Sequence, residues 1–201
     1  MNGNNDKIGI YVTEKEFINA VEKNIMKLFK TFHDKTAFFL SERDVQSYLY
    51  ALLINDPILK IPPTLENFST MNIETPKTLL VHADLEVKVR YMKGFKKVDV
   101  TILPPKKVIN WSVDLDNAIG IEIKYNRRSP ARKEASGILD DVKKCADYRQ
   151  GYVLWLNWDR PISDDHLKET ESFLRKHENV KLYYLDVFSD PIKTNVPNLL
   201  D

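Results

Sequence analysis

Two stretches of the chain alternate strictly between apolar and polar residues: Val98-Asp99-Val100-Thr101-Ile102 and Ile119-Gly120-Ile121-Glu122-Ile123-Lys124-Tyr125. A period of two predicts strands with one face in a core. His82, Asp84, Glu86, Lys88 and Arg90 alternate with Ala83, Leu85, Val87 and Val89, which predicts a further strand with one dry and one wet face. Tyr152 to Leu156 is an unbroken apolar run and predicts a strand buried on both faces, and the tyrosine-rich run from Val180 to Phe188 predicts a last one.

Helical spacing governs the rest. Thr13-Glu14-Lys15-Glu16 has the form of a capping box, and Phe17, Val21, Ile25, Leu28 and Phe32 then recur on one face, so a helix over 13–33 is expected to pack on the sheet. Ser41 as N-cap with Asp44 three residues on opens a second helix through Val45, Tyr48, Leu49 and Leu52. Counting back from Leu49 and Val45 reaches Glu42, whose carboxylate is expected to point toward the sheet while Arg43 points away. Ala135, Ile138, Leu139, Val142, Cys145 and Ala146 predict a helix over 134–150, stopped by Gly151. A helix over 163–177 follows, and Pro57, Pro62, Pro63 and Pro76 make Asp56 to Lys77 a long loop. The order helix, three strands, helix, strand predicts an α/β domain with a mixed sheet, parallel where the crossover helix joins two strands.

Glu122 and Lys124 lie two apart on a strand and must emerge together, and a neighbouring strand can bring Asp99 beside them. Two carboxylates are hard oxygen ligands suited to Mg²⁺, which completes its octahedron with waters and substrate phosphate. The Lys124 ammonium can orient an attacking water or offset charge in phosphodiester cleavage. An exposed sheet edge carrying a salt bridge would display the same three residues, so the trio alone leaves both readings open. Glu42 likewise reads either as an acid of this site or as a carboxylate favoured by the positive end of its helix. Asp84 and Glu86 are candidates for an additional acid.

Asp99 followed by Glu122-Ile123-Lys124 resembles the D…ExK signature of the PD-(D/E)xK nuclease superfamily, which includes restriction endonucleases and archaeal Holliday junction resolvases. The resemblance spans about residues 41–156. It implies a restriction endonuclease-like αβββαβ core, a mixed central sheet flanked by helices, with the helix over 13–33 and the helix and strand over 163–188 as additions within one domain of residues 1–201. It further implies Asp99 and Glu122 as metal ligands, the Ile123 carbonyl as another, Lys124 as the catalytic lysine, and Glu42 as a helix acid reaching the metal directly or through water. The implied cofactor is Mg²⁺, with Mn²⁺ substituting. The implied reaction is hydrolysis of DNA, duplex or branched, by a metal-activated water. Val98 stands before Asp99 where the family name has proline. Lys144 and Tyr148 hold the spacing at which some relatives carry Gln and Tyr; a phosphate contact is the other role open to this lysine.

A net charge of +1 rules out a generally basic coat, so DNA affinity must come from local clusters. Lys88, Arg90, Lys93, Lys96 and Lys97 precede the Asp99 strand, and Arg127, Arg128, Arg132 and Lys133 follow Lys124 directly, where they are expected to meet a phosphate backbone. Lys106 and Lys107 read equally well as a solvated loop. Trp155 lies inside an apolar run and is assigned to the core, whereas Trp111 and Trp158 are candidates to stack on bases. The lone Cys145 reads as a core thiol, and four scattered histidines give no zinc spacing. No apolar run approaches membrane length and Met-Asn-Gly-Asn-Asn-Asp has no signal-peptide character, so a cytoplasmic protein without a membrane partner is expected. A homodimer is expected if both strands of a duplex or junction are cut, although no heptad seam marks an interface. Two other classes compete: a catalytically inactive nuclease-fold DNA-binding or assembly protein, and an α/β protein-interaction module with an accidental D…ExK.

Overall fold

Helix α1 (Glu14–Asp34) buries Phe17, Val21, Ile25, Leu28 and Phe32, the face its spacing predicts. Helix α2 (Glu42–Asn55) starts at a complete capping box. Ser41 Oγ accepts from the Asp44 N–H at 3.3 Å, and Asp44 Oδ2 accepts from the Ser41 N–H at 2.9 Å, so two orphan donors are satisfied reciprocally. Val45, Leu49 and Leu53 then face inward. In this computed structural model residues 14–35, 38–59, 81–88, 90–102, 115–126, 132–157, 170–186 and 193–194 are described. The expectations for Thr13, Lys106, Lys107, Trp111, Arg127, Arg128, Trp158 and most of the proline-rich loop lie outside them, as do the side chains of Arg132 and Lys133.

Strands β1 (Val81–Lys88), β2 (Phe95–Ile102), β3 (Ile119–Asn126), β4 (Gln150–Asn157), β5 (Val180–Asp186) and β6 (Lys193–Thr194) form one sheet in chain order. The β1–β2 and β2–β3 pairs are antiparallel, β3, β4 and β5 run parallel, and β6 returns antiparallel. The sheet is therefore mixed. Helix α3 (Arg132–Cys145) connects β3 to the parallel β4. From α2 to β4 the described α-helices and strands run in the anticipated order of one helix, three strands, one helix and one strand, with a 3₁₀ turn at Leu115–Asn117 between β2 and β3.

The two sheet faces bury different things. Ile119, Ile121, Ile123, Tyr125, Tyr152, Leu154 and Leu156 join the side chains of α1 and α2 in the larger core. Val153, Trp155 and Leu182 join Ile138, Val142 and Cys145 of α3 on the other. Residues 151–157 of β4 are buried throughout, as a parallel strand covered by helices on both faces must be. Residues 170–174 are helical, within the expected 163–177.

One boundary is corrected. The third helix ends at Cys145, not near Gln150, and Gly151 lies inside β4 instead of stopping a helix. The reason is close approach: a Cβ on Gly151 would sit 2.6 Å from the Cys145 carbonyl oxygen, so the helix end presses directly on the strand. Gly120 of β3 serves Tyr148 in the same way, since a Cβ there would meet the phenol ring at 2.7 Å. Gly120→Ala is expected to destabilise the protein by about 1–3 kcal/mol through overpacking. Urea unfolding measures this, and a loss below about 0.5 kcal/mol would contradict the tight seat of Tyr148.

Candidate metal centre

The site begins where two strands part. β2 and β3 pair at Ile102 with Ile119, Thr101 with Gly120 and Val100 with Ile121, and there the ladder stops. In the same register Asp99 and Glu122 are the first residues past the last pair, directly opposite each other and on one face of the sheet. β3 continues to Asn126, so its backbone donors beyond the fork need other acceptors. Carboxylates supply them. Asp99 Oδ2 accepts from the Ile123 N–H at 2.7 Å, and Glu42 Oε2 accepts from the Tyr125 N–H at 3.2 Å. Glu42 thus turns toward the sheet, as its helical position predicts.

Helix α3 closes the other side. Lys144 Nζ lies 2.8 Å from Glu122 Oε2 and 3.0 Å from Asp141 Oδ1, bridging two carboxylates that are almost fully buried. Lys124 also runs beneath α3: its Nζ is 3.9 Å from where a Gly137 Cβ would stand, and its charge acts on Asp141. Gln46 of α2 fixes the outer strands by donating to the Asp99 carbonyl at 2.8 Å and to Asp84 Oδ1 at 3.2 Å. Asp84 sits between the paired positions Ala83 and Leu85, opposite Asp99, with a left-handed φ of 51° that an aspartate tolerates better than most residues. Glu86 pairs in register with Lys97 and is exposed.

Burial pushes the Asp99 carboxyl up to about 6, against the lowering effect of the Ile123 N–H and with further raising from Glu42. Burial also holds Glu122 well above the usual carboxylate range, and the Asp99 charge adds to it. Asp141 is raised by burial, with Lys144 opposing. Desolvation disfavours the Lys144 ammonium, but Glu122 and Asp141 more than offset it and hold its pKa above the usual lysine range. Three acids that repel one another in a dry site favour an added positive charge.

The donor set suits a hard divalent cation. Among the described residues Glu122 Oε1 is buried with no hydrogen-bond partner, an orphan acceptor of the kind a cation satisfies. Among the described residues no group of three or more His, Cys, Asp or Glu side chains forms a preformed cage. Mg²⁺ needs none, because it binds through one or two carboxylates and keeps waters for the rest.

Metal-free protein should show this in its pH dependence. Asp99 rises from an ordinary 3.8 to about 6 on folding. The folded state therefore holds that proton more tightly than the unfolded chain. Its contribution is fully present below the unfolded value and is lost as pH climbs to the folded one. Wild type should lose up to about 3 kcal/mol relative to Asp99→Asn between about pH 4 and pH 6. Paired denaturant melts in EDTA read this difference; a wild type that gains on Asp99→Asn through that window would contradict the buried, repelled carboxyl.

The structure joins Asp99, Glu122, Lys124 and Glu42 in one region, and Ile123 enters through its N–H. Tyr148 is corrected. Its side chain is 2% exposed and its phenol bonds Thr101 Oγ1 at 3.1 Å, so it braces the β2–β3 ladder and offers no surface to a nucleic acid. Lys144, expected at a phosphate, is instead held among the acids. Asp141 was not anticipated, although it lies three residues after Ile138 and four before Cys145, on the apolar face of α3. Among the described residues no helix is long and apolar enough to cross a membrane. No family model, curated protein or solved structure matches the chain.

Proposed function

We propose that the protein is a Mg²⁺-dependent nuclease with a restriction endonuclease-like fold, hydrolysing phosphodiester bonds in DNA. The observation that carries this reading is the fork: the two strands part where Asp99 and Glu122 face each other, with Lys124 two residues on. Asp99 and Glu122 would hold the metal, with the Ile123 carbonyl and Glu42 as further ligands on the PD-(D/E)xK pattern. When bound, Mg²⁺ supplies positive charge against the scissile phosphate and lowers the pKa of water. Lys124 orients the attacking water or offsets charge developing on the phosphoryl oxygens. Glu42 and Asp99, through the Tyr125 and Ile123 N–H groups, hold the β3 edge in place while the substrate binds.

DNA would approach along the β1–β2 hairpin, where Lys88, Arg90, Lys93 and Lys97 are exposed around Phe95, itself 69% exposed. Cations beside an open aromatic ring suit a phosphate backbone with accessible bases. A second reading, a nuclease-fold domain that binds DNA without cutting it, is favoured by one observation: Lys144 occupies Glu122 Oε2. Supercoiled plasmid, linear single strands and a four-way junction, each incubated with Mg²⁺, Mn²⁺ or EDTA, separate the two. Cutting with either metal and none in EDTA is expected, and the preferred substrate identifies its structural class. DNA that is bound but never cut would give the site to the second reading.

A further inference from the structure

Helix α3 carries two Asp–Lys pairs, each three residues apart, in contrasting surroundings. Asp140 and Lys143 stand 3.8 Å apart on the solvent side, 56% and 30% exposed. Asp141 and Lys144 stand 3.0 Å apart on the inner side, and the same ammonium reaches Glu122 Oε2 at 2.8 Å. The second pair therefore occupies the position from which a cation would act on Glu122. By formal charge, four carboxylates (Glu42, Asp99, Glu122 and Asp141) stand against two ammonium groups (Lys124 and Lys144), a difference that one divalent ion neutralises.

A dication on the orphan Oε1 would stand within a few ångströms of an ammonium on Oε2 of the same carboxylate, and in a dry site the two repel strongly. An ammonium driven from a buried partner into a dry site would be costly unless a second partner received it. Asp141 already touches Lys144, so the retreat is short and never leaves the charge unpaired. We infer that the Lys144 ammonium is a resident counter-cation of Glu122 that a divalent ion displaces onto Asp141, so that the Asp141–Lys144 pair sets how strongly the centre holds metal. Lys144 and Asp141 are on this account positioning residues. The inference rests on the reading of Asp99 and Glu122 as metal ligands.

Calorimetric titration of the full chain with Mn²⁺ tests it, comparing wild type, Lys144→Met, Asp141→Asn and the outward controls Lys143→Met and Asp140→Asn. Lys144→Met removes the competitor and should bind Mn²⁺ at least about fivefold more tightly; Asp141→Asn removes the receiving group and should bind at least about fivefold more weakly. Both controls should stay near wild type. Structural damage does not produce a gain in affinity, so the Lys144→Met result separates displacement from mere support of the fold. If Lys144→Met fails to fold, Lys144→Gln, which removes the charge but keeps a polar side chain, takes its place with the same expected gain. Affinity unchanged in the inner variants, with wild type still binding, overturns the displacement and leaves the metal centre standing. No Mn²⁺ bound by wild type overturns both.

Discussion

Glu122→Gln should lose metal-dependent DNA cleavage by at least about a hundredfold while the protein stays folded. Loss of an outer partner of a metal ligand already costs about 10–100-fold, and Glu122 is proposed as a ligand itself. The substitution keeps the side chain's volume in a site where Glu122 is 3% exposed, so it opens no cavity. It also removes a charge that Asp99 and Asp141 repel, and Lys144 retains Asp141 at 3.0 Å. Far-ultraviolet circular dichroism and thermal melting should therefore match wild type closely, and DNA binding through the hairpin cations should persist. Cleavage at the wild-type rate would remove Glu122 from the chemistry.

Trp155→Ala should cost about 3–5 kcal/mol, the largest loss expected from a single core truncation here. The indole is fully buried, meets Tyr184 edge-on at a centroid distance of 5.7 Å, and packs with Ile138 and Val142 of α3. Within the sheet it is the register partner of Lys124. Its loss loosens the helix that carries Asp141 and Lys144, so stability and the inner side of the metal centre should weaken together. A domain of this kind is stable by only about 5–15 kcal/mol, which makes the change plain in urea unfolding. A cost under about 1 kcal/mol would show that α3 does not depend on this contact.

The strands that build the site were legible because each has a solvated or acidic face opposite a dry one. Val98 to Ile102 and Ile119 to Tyr125 therefore showed their period of two. Glu42 was legible by counting along an apolar helical stripe, and its carboxylate turns toward β3 as the count requires. The same count along α3 reaches Asp141, an acid on an apolar face. The resemblance draws attention instead to Lys144 and Tyr148, at the spacing where some relatives carry Gln and Tyr. Burial overrides that spacing for Tyr148, whose ring fills the space left by Gly120. The fork was not legible. How far a ladder continues depends on which acceptors compete for the strand's donors, and here those acceptors, Asp99 and Glu42, come from elements 24 and 83 residues away.

Gly151 illustrates the same limit. A glycine after a helical stripe reads as a helix stop, and only the closeness of Cys145 to β4 reveals its use in the strand. The left-handed φ of Asp84 is likewise a tertiary matter, set opposite Asp99 where Gln46 bridges the two strands.

The most direct measurement is a crystal grown with Mn²⁺ and examined for anomalous scattering. One peak is expected between Asp99 and Glu122, about 2.1 Å from an oxygen of each, with Lys144 withdrawn to Asp141. A metal bound elsewhere, or none with Lys144 still on Glu122, would contradict it.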